Sequence, residues 1–151
     1  PDIVCNPGEI NQVLLSIFVN AIEAMSSEDA HSKEIFIRTW ETESEYVHIG
    51  IKNTGPSIPS EIRSKIFDPF FTTKPIGQGT GLGLAIAYQT VQKHHGNIQI
   101  NSEDSDGTEF IIDLPIDERL LIQRDASTDT YTGALKSGPI SSEPDVSEAA
   151  A

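Results

Sequence analysis

The amino-acid sequence predicts an α/β fold, a two-layer sandwich in which helices pack on one face of a mixed sheet. Two patterns lead to this prediction. Apolar residues recur with helical periodicity in two segments, and they alternate with polar residues in two pairs of short segments. The resulting order is helix, two strands, short helix, glycine-rich loop, helix and two strands, which suits a layer of helices on a sheet.

The first predicted helix follows Asn6 and extends to about residue 25. Asn6 is a favoured capping residue, and Pro7 suits the first helical position. Apolar residues go nearly all the way round this helix, which predicts that it is buried. A single polar line interrupts the apolar surface at helical spacing and comprises Gln12, Ser16, Asn20 and Glu23. Because buried polar groups need partners, this line follows a solvent edge, faces a neighbouring loop or serves a site.

The predicted strands form two hairpins. Residues 35–40 and 46–53 alternate on either side of an acidic loop. The inward row of the second strand ends at Asn53, where a polar partner is expected. The second hairpin, residues 97–102 and 108–114, turns at an Asp-Gly pair.

Between the hairpins, the sequence predicts a rigid turn over residues 54–59 and a short helix over residues 60–67. An aromatic cluster and a glycine-rich loop follow. A second long helix is predicted from Leu84 to about His95, and it ends at Gly96 in the manner of a glycine cap.

Composition limits the functions open to the chain. Of its 151 residues, 1–116 are expected to form one compact domain and 117–151 an acidic, disordered tail. A formal charge of -13 argues against direct contact with nucleic acid or membrane. The single cysteine, Cys5, excludes an internal disulfide and fits a cytoplasmic protein. The chain begins at Pro1 and has no long apolar run, so we expect a soluble piece of a longer protein.

Glycines alternate immediately before the second long helix, at Gly79, Gly81 and Gly83. This spacing lets backbone N–H groups approach an anion at the positive end of a helix. A P-loop is excluded because no Gly-Lys-Ser/Thr follows, and a dinucleotide fingerprint is excluded because Leu84 stands where its last glycine is required. A purely steric role for the glycines stays open. Lys74 supplies positive charge nearby.

Four motifs stand in a fixed order along the chain. They are Asn20-Ala21, Asn53-x-Gly55-x-x-Ile58, Phe67-Asp68-Pro69-Phe70-Phe71 and Gly79-Thr80-Gly81-Leu82-Gly83-Leu84. Together they resemble the N, G1, F and G2 boxes of the GHKL superfamily, and residues 66–83 resemble its sensor histidine kinase branch. The resemblance covers roughly residues 1–116.

The resemblance implies the Bergerat fold, in which a mainly antiparallel sheet and its helices hold ATP between the buried helix and a flexible lid. It implies that Asn20 is the Mg²⁺ ligand, that Asn20 and Lys74 are catalytic, and that Asn53 receives the adenine amino group. Phe70 is expected to line the nucleotide and, with Phe71, to anchor the lid by apolar contacts. The other nucleotide-binding positions implied are Ser16, Gly55, Ile58, Thr72, Thr73, Gly79, Thr80, Gly81, Leu82, Gly83 and Leu84.

Two positions depart from the family pattern. Asn53 stands where the family usually has an aspartate, so a neutral hydrogen bond of about 1 kcal/mol replaces a charge-assisted one of about 1.5 to 3 kcal/mol. Adenine is therefore expected to bind about tenfold more weakly. Ser16 stands where the ATP-hydrolysing relatives have a glutamate that activates water. Its absence favours phosphoryl transfer to a protein acceptor over hydrolysis.

The resemblance thus implies the module of a sensor histidine kinase that transfers the ATP γ-phosphoryl group to a histidine of a dimerisation domain, for relay to a response regulator receiver domain. None of His31, His48, His94 and His95 is followed by a phosphoacceptor pattern, and all four are interpreted as structural. The acceptor is therefore expected on another domain of a homodimeric parent, and the fragment is expected to be inactive without it. A stand-alone ATPase and a non-catalytic nucleotide sensor or docking module remain alternatives.

Overall fold

The computed structural model describes residues 1–26, 33–42, 45–75, 79–102 and 107–116. In chain order these residues form α1 (Pro7–Ala24), β1 (Ile35–Thr42), β2 (Tyr46–Asn53), α2 (Ser60–Arg63), α3 (Gly83–Lys93), β3 (Asn97–Asn101) and β4 (Thr108–Pro115). The predicted tail, residues 117–151, lies outside the described residues, as does His31.

The four strands form one sheet in the order β1-β2-β4-β3. Every neighbouring pair of these strands is antiparallel. α1 and α3 pack on one face, and their apolar residues interleave with the inward rows of the strands. The fully buried part of this core comprises Val13, Ile17, Val91, Ile51, Ile112 and Leu114. The predicted α/β sandwich is confirmed.

α1 and α3 are fastened together at one end. Asn6 caps α1 as predicted, because its Oδ1 accepts from the N–H groups of Gly8 at 3.0 Å and Glu9 at 3.3 Å. At the end of α3, His94 Nε2 accepts from the Asn6 N–H at 3.1 Å, and Lys93 Nζ donates to Glu9 Oε1 at 2.6 Å. The two helices are therefore antiparallel, and the second half of α1 lies beside the beginning of α3.

The prediction that α1 is buried all round is wrong for its outer face. Leu15, Val19 and Ile22 are 61%, 43% and 56% exposed. Helical spacing places them on one stripe, opposite the buried Ile17 and Ala21. In a two-layer fold one side of a helix meets the sheet and another meets the neighbouring helix, so the outer side of α1 stays uncovered by the described residues.

Two local predictions also need correction. The short helix α2 ends at Arg63 rather than residue 67, and turns with hydrogen bonds from Lys65 N–H to Ile62 O and from Asp68 N–H to Lys65 O, both at 2.9 Å, carry the chain onward. At the end of α3 the left-handed residue is His95, with φ 55°, instead of Gly96. Glycine is required at position 96 for space, because a Cβ atom there would lie 2.3 Å from Asp113 O.

The described histidines make structural contacts. His48, on the face of the sheet opposite the helices, pairs with Asp113 at 2.7 Å and stacks on Trp40 at a ring separation of 5.1 Å. His94 bridges the two helices. None of the helices within the described residues has the length and apolar character needed to cross a membrane.

Candidate functional site

Along the polar line of α1, Ser16 and Asn20 are half-buried, whereas Gln12 and Glu23 are exposed. Ser16 Oγ donates to Gln12 O at 2.9 Å, and Asn20 Nδ2 donates to Ser16 O at 2.9 Å. The amide nitrogen of Asn20 is therefore committed to the helix backbone. Its Oδ1 makes no hydrogen bond to the described residues, so this oxygen can accept from, or coordinate, a group outside the helix.

The beginning of α3 lies against this polar line. A Cβ atom added at Gly83 would lie 4.0 Å from both Cβ and Oγ of Ser16. Among the described residues, no side chain caps α3 at Leu82, and its first turn contains no acidic residue. Free N–H groups and the positive end of the helix dipole therefore lie beside Ser16. Such a helix end favours the binding of phosphate.

The backbone of Gly81 is locked against the backbone of Phe70. The Phe70 N–H donates to Gly81 O at 2.9 Å, and both residues have left-handed conformations, with φ 68° for Phe70 and 64° for Gly81. A Cβ atom at position 81 would lie 2.4 Å from the Phe70 carbonyl carbon, so only glycine fits there. This contact joins the F and G2 motifs.

The aromatic side chains of the F motif differ in their surroundings. Phe71 packs against the core, in agreement with an apolar anchor, and Phe67 meets the Tyr88 ring of α3 at 5.1 Å. The Phe70 side chain is 74% exposed, so the expectation that it anchors the lid by apolar contacts is wrong.

Lys74 extends from the described part of the loop to α1. Its backbone N–H donates to Thr72 Oγ1 at 3.1 Å, and a Cβ atom at Gly79 would lie 2.8 Å from Thr72 Oγ1 and 3.0 Å from Lys74 Cδ. The ammonium group of Lys74 forms an ion pair with Glu23, one turn beyond Asn20 on the polar line. Thr73 and Thr80 are exposed in the same region.

The other end of the candidate site is built around Asn53, which is 2% exposed. With its carboxamide oriented to satisfy both ends, Oδ1 accepts from the Gly55 N–H at 2.9 Å and Nδ2 donates to Thr108 O at 3.1 Å. Asn53 therefore has two polar partners, the carbonyl of Thr108 on the neighbouring strand and the N–H of Gly55 in the turn. A Cβ atom at Gly55 would lie 2.7 Å from this carboxamide and 3.2 Å from Met25 Cγ, so glycine is required.

Residues of the second hairpin hold the turn that follows Asn53. The Ile58 N–H donates to Ser102 Oγ at 2.7 Å, and Thr108 Oγ1 donates to Pro56 O at 3.3 Å. Gly107 has φ 83°, and a Cβ atom there would lie 2.0 Å from Asn53 O. The sequence does not single out Ser102 or Thr108, because nothing local distinguishes a hydroxyl that contacts a residue about 50 positions away.

α1 connects the two ends of the candidate site. Ser16 meets the beginning of α3, Met25 meets Gly55, and Asn20 lies between them. Nine residues of helix separate the two contacts by about 14 Å. The side chains of Ile58 and Leu84 pack against the core. These residues would therefore contact a ligand through backbone atoms or through the exposed part of the side chain.

The residues present fit a magnesium ion that arrives with its own oxygen ligands. Within the described residues, no group of three His, Cys, Asp or Glu side chains could hold a metal alone. Mg²⁺ commonly keeps several waters and binds through one or two protein oxygens together with phosphates. The free Oδ1 of Asn20, close to the positive end of α3, matches that donor set.

Comparison with known proteins identifies similar chains. The sequence pattern of the family described as histidine kinase-, DNA gyrase B-, and HSP90-like ATPase matches residues 5–118. Sporulation kinase E of Bacillus subtilis (strain 168) is 35% identical over 116 residues, which cover 77% of this chain and only 15% of the relative.

Two solved structures share the fold. The catalytic domain of histidine kinase ThkA superimposes with a TM-score of 0.64 at 36% identity, covering 76% of this chain and 70% of that chain. Full-length ShkA in complex with AMPPNP superimposes with a TM-score of 0.65 at 26% identity, covering 76% of this chain and 23% of that chain.

Proposed function

This chain belongs to the family of histidine kinase-, DNA gyrase B-, and HSP90-like ATPases, and we propose that it is the ATP-binding catalytic module of a sensor histidine kinase. The observation that carries the proposal is that α1 spans the candidate site, with Asn20 between the Ser16 and Met25 contacts. The similarity to sporulation kinase E and to the ThkA catalytic domain supports a kinase, and the AMPPNP bound to ShkA supports a nucleotide.

We assign the adenine base to the Asn53 end of the site. An amide oxygen has two lone pairs, and the Gly55 N–H uses one of them, so the second can accept from the adenine amino group. Nδ2 is committed to Thr108 O, which leaves Asn53 as a neutral acceptor. The tight contacts at Gly55 hold the Asn53 carboxamide against the end of α1. Adenine affinity is then lower than a carboxylate would give, by about tenfold.

We assign the phosphates to the end where α3 begins. The uncapped N–H groups after Leu82 hold phosphate oxygens, and Lys74 adds positive charge when it leaves Glu23. Asn20 Oδ1 would hold Mg²⁺, which would supply neutralisation of the phosphate charge. Asn20 and Lys74 are thus the residues that we propose act on the transferred group.

The site favours transfer to a protein over hydrolysis. Ser16 carries no carboxylate, and Glu23 lies on the other side of Asn20 along α1, so neither side chain is placed to activate a water. A histidine nitrogen of the acceptor domain attacks the γ-phosphorus, the bond to the β-phosphate oxygen breaks, and ADP leaves. An aspartate of a receiver domain then takes the phosphoryl group from the histidine.

We propose that the acceptor domain docks on the outer stripe of α1, Leu15, Val19 and Ile22. This stripe is exposed and adjoins the polar line, so a helix packed on it would bring its histidine to the phosphate side of Asn20. The acceptor belongs to the dimerisation domain of a homodimeric, cytoplasmic parent. Cys5, which forms no disulfide, fits that reducing compartment.

Nucleotide binding and phosphoryl transfer can be tested separately. Calorimetric titration of the 151-residue chain with Mg-ATP tests the site, and no binding would end the proposal. Labelling of a separately produced acceptor domain of the parent with γ-³²P-ATP tests the transfer. Binding without labelling of the acceptor would favour the nucleotide sensor, for which the neutral Asn53 is the motivating observation. Steady ATP turnover without an acceptor would favour the stand-alone ATPase.

A further inference from the structure

The ion pair between Lys74 and Glu23 joins the glycine-rich loop region to α1 across 51 positions of sequence. The Lys74 side chain lies across Gly79, where an added Cβ atom would meet Lys74 Cδ at 3.0 Å and Cβ at 3.4 Å. Both ends of the pair are accessible, with side chains 33% exposed for Lys74 and 41% for Glu23. The lysine therefore has a defined resting position on the polar line of α1.

That resting position is next to the proposed phosphate site. Glu23 lies three residues after Asn20, and residues at this spacing are neighbours on one face of a helix. An ammonium group on a four-carbon stem can move between nearby anions, and an exposed ion pair is weak enough to exchange. A triphosphate bound beside Asn20 would therefore compete with Glu23 for the same ammonium group.

We infer that Glu23 is a positioning residue that holds Lys74 on α1 in the nucleotide-free protein and sets the affinity for ATP by competing with the phosphates. The inference rests on the proposed function, because it requires the phosphates to lie beside Asn20. It goes beyond that function by assigning a role to a carboxylate that neither binds nucleotide nor activates water. The carboxylate restrains the loop lysine until the nucleotide arrives.

A second ion pair between a lysine and a glutamate of α1 provides a matched control. Glu9, at the opposite end of α1, pairs with Lys93 at 2.6 Å. Glu9 also lies 3.8 Å from His94 Nε2, and the pair is at the end of α1 remote from Gly83 and Gly55. Glu9→Gln and Glu23→Gln therefore remove equivalent carboxylates from the same helix, one outside and one inside the candidate site.

The first experiment needs no nucleotide. The rate of acetylation of each lysine with acetic anhydride is measured by mass spectrometry in the wild type, Glu23→Gln and Glu9→Gln. We expect Glu23→Gln to raise the rate at Lys74 about threefold and to leave Lys93 unchanged, with the reverse pattern for Glu9→Gln. An unchanged rate at Lys74 in Glu23→Gln would refute the resting pair and the inference with it.

The second experiment measures the competition by a double-mutant cycle. Mg-ATP affinity is determined calorimetrically for the wild type, Glu23→Gln, Lys74→Met and the double variant. We expect Glu23→Gln to tighten binding about threefold when Lys74 is present, and to have no effect in the Lys74→Met background. Glu9→Gln should leave the affinity unchanged.

Two outcomes separate the possible failures. Equal tightening by Glu23→Gln in both backgrounds would mean that Glu23 only repels the phosphates, and the competition for Lys74 would be refuted. If the wild type binds no Mg-ATP at all, the proposed function and the competition both fail, while the acetylation rates still report whether Glu23 holds Lys74.

Discussion

Replacement of Asn53 by aspartate separates the role of this residue in the fold from its role toward the base. In the protein, Nδ2 donates to Thr108 O at 3.1 Å and Oδ1 accepts from the Gly55 N–H at 2.9 Å, with the side chain 2% exposed. Aspartate keeps the acceptor for Gly55 but places an oxygen against the Thr108 carbonyl. The lost hydrogen bond and the buried, mismatched carbonyl together should lower the free energy of unfolding by about 2 kcal/mol.

The same change should improve recognition of adenine. A carboxylate accepts the adenine amino group through a charge-assisted bond, so Asn53→Asp should tighten Mg-ATP binding by up to about tenfold, or about 1.4 kcal/mol. Without nucleotide, the variant should unfold at a lower urea concentration than the wild type. Because the loss of stability exceeds the gain in binding free energy, saturating Mg-ATP should restore only part of this difference.

Urea unfolding at neutral pH and calorimetric titration of the native variant measure the two effects independently. Asn11→Asp is the matched control, because the same chemical change at an exposed position of α1 should alter neither quantity much. A variant as stable as the wild type would refute the importance of the Thr108 contact. Weaker ATP binding by the native variant would show that the base is not read by Asn53.

Three further predictions concern other parts of the molecule. Asn20→Ala should abolish the Mg²⁺ dependence of ATP binding, measured by titration with Mg²⁺ and with EDTA; an unchanged dependence would contradict the metal assignment. Gly81→Ala should lower the free energy of unfolding by about 2 kcal/mol or more, because φ is 64° and the new Cβ would meet the neighbouring backbone at 2.4 Å. Gly83→Ala has room and should not destabilise, so equal losses in urea unfolding would refute this distinction. The hydrogen bond from Lys93 lowers the pKa of Glu9 from its ordinary value of 4.5. The stability that this pair contributes is therefore present above pH 4.5 and lost as pH falls through the lowered pKa, so the urea midpoints of wild type and Glu9→Gln should converge in acid.

Local features of the sequence predicted the elements well. The cap at Asn6 and the helical spacing that follows it act within a few residues, and α1 begins where they indicate. Alternation predicted both hairpins. It did not predict that β4 is buried along its whole length while most of β1 is exposed. The loss of helical geometry after Arg63 was missed, since the succession of turns there serves contacts made by the aromatic cluster that follows.

For the candidate site, the sequence indicated which residues share a face of α1 but not what they contact. Spacing alone grouped Ser16, Asn20 and Glu23 on one face of α1, and it could not tell whether solvent, loop or ligand lies opposite. The partner of Glu23 is Lys74, on a loop 51 residues away, and the partner of the Asn53 amide is a carbonyl on β4. Neither pairing can be recognised from the local sequence.

The sequence by itself determined which segments are helices and strands, and which polar residues share a face of α1. Those properties depend on backbone sterics and on side-chain periodicity, which act over a few residues. Only the tertiary structure decided that the outer stripe of α1 is exposed, that Phe70 faces solvent, and that Lys74 rests on Glu23. Those properties depend on which surfaces the layers cover and on the distances between segments far apart in the chain.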